Sequence, residues 1–194
     1  MTKPLLAFLP LLFLAACSSA PKKTVQTKPE APPRTLIFPY GSYQHLVHVA
    51  VKNPKNKGPS QMDFQGAFTF TGEQISLIAL SGFGTTVFRV DENVQTSEVK
   101  VQTYVPALEK YEPRIRGYYA ILRDVLTTPL AGTPAKAKIL ARTESGFPSE
   151  IEVPGDTGPI RARLGGYDEN DIPKSVLITH PDFELDVKVQ GYEI

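Results

Sequence analysis

The chain has one cysteine, no tryptophan and three histidines in 194 residues. A single thiol, Cys17, excludes an intramolecular disulfide and any zinc site built from several cysteines. The histidines offer little to a metal. His45 and His48 stand three apart, and on a strand an odd spacing sends two side chains to opposite faces, while His180 is remote in sequence. There is no G-x-S-x-G elbow, no P-loop and no H-E-x-x-H. Asp168, Glu169 and Asp171 cluster in YDENDIP, but their spacing matches no calcium loop. Nothing in the sequence places a carboxylate pair of the glycosidase kind in a cleft. These absences point away from catalysis, and neither a metal nor a cofactor is expected.

What is present begins with Lys3 and the apolar run Leu5 to Ala15. The run is too short for a permanent membrane span, and its flanks read as a cleaved secretory signal over residues 1–16. It ends in Leu14-Ala15-Ala16-Cys17, which resembles the bacterial lipobox. Cys17 is then expected to become the mature N-terminus, with a diacylglycerol on sulfur and a third acyl chain on the amine. At about 0.8 kcal/mol per buried methylene, two or three such chains hold a protein on a membrane. The residue after Cys17 is Ser18 rather than Asp, which predicts an outer-membrane anchor with the folded domain facing the periplasm.

Residues 17–35 are rich in Pro, Lys, Ser and Thr and poor in large apolar side chains, the composition of a flexible tether. Fully extended, the tether reaches on the order of 55 Å at about 3.3 Å per residue. Residues 36–194 remain for one domain with a sizeable core. Removing Lys3, Lys22, Lys23, Lys28, Arg34 and Glu30 from 21 basic and 20 acidic residues leaves 16 and 19, so the domain is slightly acidic. No basic stripe suits nucleic acid.

Period-two alternation runs through most of this domain. Strands are predicted over Gln44–Lys52, Asp63–Thr71, Gln74–Leu80, Thr85–Asp91 and Ser97–Tyr104. After a helix they resume over Ala137–Thr143, Ser149–Val153, Pro159–Gly165, Lys174–His180 and Asp182–Ile194. KNPKNKGPS at 52–60 and the Pro154–Gly158 stretch read as turns. Leu108, Tyr111, Ile115, Tyr118, Tyr119, Leu122, Val125 and Leu126 recur at three- and four-residue steps, the stripe of a helix over Glu112–Leu126 stopped by 127–133. Pro113 falls in its first turn, and Arg114, Arg116, Arg123 and Asp124 are expected to face water. The stripe serves core packing, or a lid over an apolar cavity, or both.

The most unusual stretch is Gln74 to Val90, two strands around the tip Gly82-Phe83-Gly84. The two glycines are expected to supply positive φ for a tight turn. Phe83 between them either folds back onto a neighbour or touches something apolar outside the domain. The Gln74–Leu80 strand is apolar on both faces, which predicts cover on both sides or a ligand on one.

The order of lipobox, Pro/Lys tether, antiparallel strands, amphipathic helix and further strands resembles the LolA/LolB family of lipoprotein carriers and receptors and its LolB-like lipoproteins. The resemblance is carried by FQGAF (Phe64–Phe68), ISLIALSGFGTTVFRV (Ile75–Val90), LGGYDENDIPKSVLI (Leu164–Ile178) and FELDVKVQGYEI (Phe183–Ile194). It implies an α+β fold: a curved, incomplete antiparallel β-barrel of roughly ten strands covered by a helical lid, with an apolar cavity for acyl chains. In that fold the candidate lining is Phe64, Phe68, Phe70, Ile75 and Leu77 from the first strands. Ile115, Tyr118 and Leu122 would come from the helix, and Phe183, Leu185 and Val187 from the last strand. Phe83 matches the apolar tip of the family's protruding loop. This chain differs in having Ser81-Gly82 where Asn-Pro is typical, one clear helix, and no tryptophan.

The implied function is binding of acyl chains or a lipidated cargo and delivery to the outer membrane, with a LolA-like periplasmic carrier as a possible donor and a monomer as the working unit. The competing expectation is a non-transporting envelope scaffold or sensor that uses the same fold for protein contacts.

Overall fold

Strand β1 (Gly41–Val51) has a neighbour on each side, and the rest of the sheet grows outward from it. The computed structural model describes residues 35–52, 61–130, 137–155 and 158–194. These all belong to a unit spanning Pro33–Ile194. The signal segment, Cys17 and the tether up to residue 34 lie outside the described residues, as do 53–60, 131–136 and 156–157.

On one side of β1, β2 (Gln61–Phe70), β3 (Gln74–Leu80), β4 (Thr86–Asn93) and β5 (Glu98–Thr103) follow as an antiparallel meander. On the other side stands β10 (Phe183–Glu193), then β9 (Pro173–Thr179), β8 (Ile160–Tyr167), β7 (Pro148–Val153) and β6 (Lys138–Arg142). The ten strands form one antiparallel sheet with β5 and β6 at its two ends, so it does not close. Each neighbouring pair except β1·β10 is consecutive in sequence, and hairpins readily give this order. The predicted strands all occur, with bounds displaced by at most three residues.

Between the edges the chain makes a 3-10 turn over Pro106–Tyr111 and then helix α1 (Glu112–Leu126). Pro113 sits in the first helical turn, where a missing N–H leaves no bond unmade. The 3-10 turn is absent from the sequence reading. Its Leu108 and Tyr111 continue the apolar stripe, but none of its residues is buried. Ile115, Tyr119, Leu122, Val125 and Leu126 are the buried helix positions, set by the 3.6-residue period.

One face of the sheet carries the core. Tyr43, Val47 and Val49 of β1, Phe68 and Phe70 of β2, and Ile75, Leu77 and Ala79 of β3 alternate inward. Leu164, Val176, Ile178, Phe183, Leu185 and Val187 do the same across the other wing. On β3 the outward Ser76, Ile78 and Leu80 are half-exposed, so only one face of this doubly apolar strand is covered. Ile37 and Phe38 are fully buried, and they were not expected to be core. The segment before them pairs with the chain leaving α1: Ile37 N donates to Thr128 O at 3.0 Å, and Leu130 N to Thr35 O at 2.9 Å. The fold is therefore tied down from Thr35 onward.

Candidate functional site

The hairpin joining β3 to β4 is held by its own short side chains. Ser81 N donates to Thr85 O at 2.8 Å, and Gly84 N to Ser81 O at 2.9 Å. Ser81 Oγ accepts from Phe83 N at 3.3 Å and from Thr85 N at 3.2 Å. Gly84 has φ +76°, while Gly82 does not take positive φ, so only one of the two glycines is there for its backbone freedom. That is the geometry of a three-residue hairpin loop with glycine at the left-handed position, and the β3/β4 register slips by one residue beside it. The result fixes Phe83 outward: its side chain is 99 % exposed. The fold-back alternative for Phe83 is not the conformation found.

Strand register places other groups at the same end of the sheet. Leu80 lies opposite Gln65, so the tip lies level with the first residues of β2. Thr103, the last residue of β5, lies opposite Phe88. Met62, Tyr104 and Val105, each more than a third exposed, therefore sit at the end that carries Phe83.

The eleven residues expected to line a cavity fall into one apolar cluster between sheet and helix. Phe68, Phe70, Ile75, Leu77, Ile115, Leu122, Phe183, Leu185 and Val187 are buried, and Phe64 and Tyr118 pack half-buried against them. Ring contacts run through the cluster: within one wing Phe64 of β2 meets Phe88 of β4 at 5.8 Å between centroids, and Tyr118 of the helix meets Phe183 of β10 at 4.5 Å.

Two polar features inside this core escaped the sequence reading. The first is Glu92 on β4, which follows Phe88 and Val90 on the inward face and is 5 % exposed. Tyr119 Oη donates to Glu92 Oε2 at 2.7 Å, and Arg123 Nη1 donates to both carboxylate oxygens at 2.9 and 3.0 Å. Arg123 also bonds Asp124 through Nε at 2.9 Å and Nη2 at 2.7 Å. The expectation that Arg123 and Asp124 face water is therefore wrong. They lie at the helix–sheet junction, with side chains 17 % and 18 % exposed, because a buried carboxylate on β4 demands a partner. Burial and the hydrogen bond to Glu92 push the Tyr119 hydroxyl far above its usual range, so it stays a donor. Burial works against the Arg123 charge, but Asp124 and Glu92 outweigh it and hold the guanidinium charged. Period two alone puts Glu92 inward, one residue beyond the strand predicted over Thr85–Asp91.

The second is His45 of β1, 3 % exposed and close to the Tyr43 and Phe68 rings. Its Nε2 is buried without a hydrogen-bond partner. Burial lowers its pKa to about 4, so the ring is neutral near pH 7. His48 faces outward, as opposite faces require, and its Nδ1 lies 2.7 Å from Asp63 Oδ1. In the YDENDIP loop, Asp168 Oδ1 accepts from the backbone of Asn170 and Ile172, and Oδ2 accepts from Tyr192 Oη at 2.7 Å. Its carboxylate thus braces a turn. Among the described residues, no group of three or more His, Cys, Asp or Glu is placed to hold a metal ion.

No protein-family model matches this chain, and no curated protein sequence does.

Proposed function

We propose that the chain is a LolB-like, lipid-anchored envelope protein that holds acyl chains or a lipidated cargo against the inner face of its sheet and touches the outer membrane with Phe83. The observation that carries this reading is the Phe83 side chain, 99 % exposed at the end of a hydrogen-bonded hairpin. A solvated Phe gains nothing for its own fold, whereas burying it in an apolar phase is worth about 1.5–3 kcal/mol. That suits a reversible contact, while permanent attachment falls to acyl chains on Cys17. Met62, Tyr104 and Val105 at the same end widen the apolar surface offered.

In this reading the unclosed sheet is a curved half-barrel and α1 its lid. Support comes from α1 touching both β5 and β7, strands near opposite ends of the sheet order. The Glu92–Arg123–Tyr119 junction would then fix the lid to one wing.

A second reading, a scaffold or sensor using the fold for protein contacts, is favoured by Phe38, Tyr43, Phe68 and Tyr119, whose fully buried rings already fill the inner face. The two separate on uptake of a fluorescent fatty acid by delipidated protein, and on crosslinking from position 83. Uptake together with lipid crosslinks supports the carrier. Absence of uptake with crosslinks to protein alone supports the scaffold.

A further inference from the structure

A groove of about 520 Å³ opens on the face of the sheet opposite the core, lined by Lys52, Arg161, Arg163, Thr179 and His180 between the walls of Pro159 and Pro181. That volume is in the range of small-ligand sites. Four of the seven lining residues are basic side chains and none is acidic. Arg161 and Arg163 alternate along β8 with the buried Ile160, Ala162 and Leu164, so period two aims both guanidinium groups outward into the groove.

The charge there is only partly spent. Arg161 has one ion-pair partner, Glu150 at 3.7 Å, beyond hydrogen-bond length, and stands across from Glu152 in the β7/β8 register. The Arg163 guanidinium makes no ion pair or hydrogen bond among the described residues, and Glu150 stands across from Arg163 on β7. Lys52 Nζ donates to His180 O at 3.2 Å, which holds the ammonium at the groove without neutralising it. His180 Nδ1 accepts from Asp182 N at 3.1 Å, so in the neutral ring the proton sits on Nε2. The Asp182 carboxylate lies 4.0 Å from that ring and is 72 % exposed to solvent.

The register fixes where the groove lies. Val51 stands opposite Phe183 and Ala50 opposite Gln61, so Lys52 leaves β1 at the end where β2 begins. Thr179 pairs with Arg161 and with Glu184 at that same end. The Phe83 tip lies at this end too, joining the second and third strands from β1. Basic groove and apolar tip thus share one rim of the sheet.

We infer that this groove is an anion site for a phosphate group, with Arg161 and Arg163 as the principal ligands and Lys52 and Thr179 completing the donor set. Guanidinium groups recognise phosphate oxygens by paired, charge-assisted hydrogen bonds. The phosphate can come from an anionic phospholipid headgroup or from solution; the headgroup source alone rests on the membrane-facing role of the Phe83 rim.

The test uses the full lipid-anchored chain in nonionic detergent micelles, with backbone amide shifts of Arg161, Thr179 and His180 as the readout. The titrants are inorganic phosphate, phosphatidylglycerol and phosphatidylcholine. Saturable shifts with phosphatidylglycerol but not phosphatidylcholine, weakened by added salt, assign the site to a lipid headgroup. Equal saturation by inorganic phosphate at matched concentration assigns it to free phosphate and equally supports an anion site. Arg161→Gln with Arg163→Gln should weaken binding at least tenfold with melting unchanged, and Lys52→Gln should weaken it severalfold. Phe83→Glu should leave it intact, so loss of vesicle insertion in that variant speaks to the proposed function and not to the groove. Absence of shifts with every titrant, or binding unaltered by the double arginine substitution, overturns the inference.

Discussion

Arg123 on α1 and Glu92 on β4, 31 residues apart in sequence, meet with one guanidinium nitrogen shared between both carboxylate oxygens at 2.9 and 3.0 Å. The pair is buried where the helix lies on the sheet, and Tyr119 supplies a further donor to the same carboxylate. Removing one partner leaves the other charge stranded, which is costlier than never having had the pair. Arg123→Ala should therefore lower stability by about 3 kcal/mol, read from urea denaturation. Tyr119→Phe should cost about 1–2 kcal/mol, and Glu92→Leu with Arg123→Met should recover only part of the loss, because it leaves Asp124 and the Tyr119 hydroxyl without these partners. A double variant as unstable as Arg123→Ala would show that the pair matters for something other than stranded charge.

His45 makes the fold sensitive to mild acid. Its folded pKa of about 4 lies below the ordinary 6.5, so the unfolded chain binds the proton first. Stability is then full above about pH 6.5, falls as pH drops between 6.5 and 4, and levels off below that. The full loss is on the order of 3 kcal/mol, at 1.36 kcal/mol per unit. His45→Leu should remove this slope and, with no buried nitrogen left unsatisfied, should not weaken the protein at pH 7. Denaturation midpoints of both proteins from pH 7 to 4.5 decide it. Parallel pH profiles would contradict the assignment.

Asp91 and Asp168 act in a lower window. Burial raises each carboxyl, but hydrogen bonds outweigh it: from Arg89, Ser76 and Gln74 on Asp91, and from Tyr192 and the Ile172 and Asn170 backbone on Asp168. Both end below the ordinary 3.8, so what they contribute is present above that value and lost as pH falls through their folded values. Acid unfolding of His45→Leu should therefore begin only below about pH 4. An unchanged onset near pH 6 would place the acid sensor elsewhere.

Phe83→Glu should leave the fold alone, shifting stability by less than about 0.5 kcal/mol, because the side chain touches solvent only. Insertion of the lipidated chain's cargo into liposomes should fall by about ten- to a hundredfold, the equivalent of burying one Phe. Unimpaired insertion would remove the tip from the mechanism.

The two glycines of the tip should differ on substitution. Gly84→Ala forces a side chain into φ +76° and should cost about 1 kcal/mol. Gly82→Ala meets nothing within 4 Å and should be close to neutral. Thermal melts of the two variants, side by side, check the turn geometry; a neutral Gly84→Ala would contradict it.

The sequence by itself determined the local elements. Period two and turn residues placed ten strands, and the 3.6-residue stripe placed α1 at Glu112–Leu126, because each pattern depends on neighbours within one element. The aromatic face of β2 and the alternating faces of β10 were legible for the same reason. Only the tertiary structure decided that β1 pairs with β10, that Ile37 and Phe38 close the core, and that Glu92 has Arg123 to meet. Those depend on contacts between distant segments, and no local period records which charge will sit across from which. The tip shows both halves: Gly-Phe-Gly marked a turn with an odd residue, and the fold decided that this residue points outward, on the rim that also carries the basic groove.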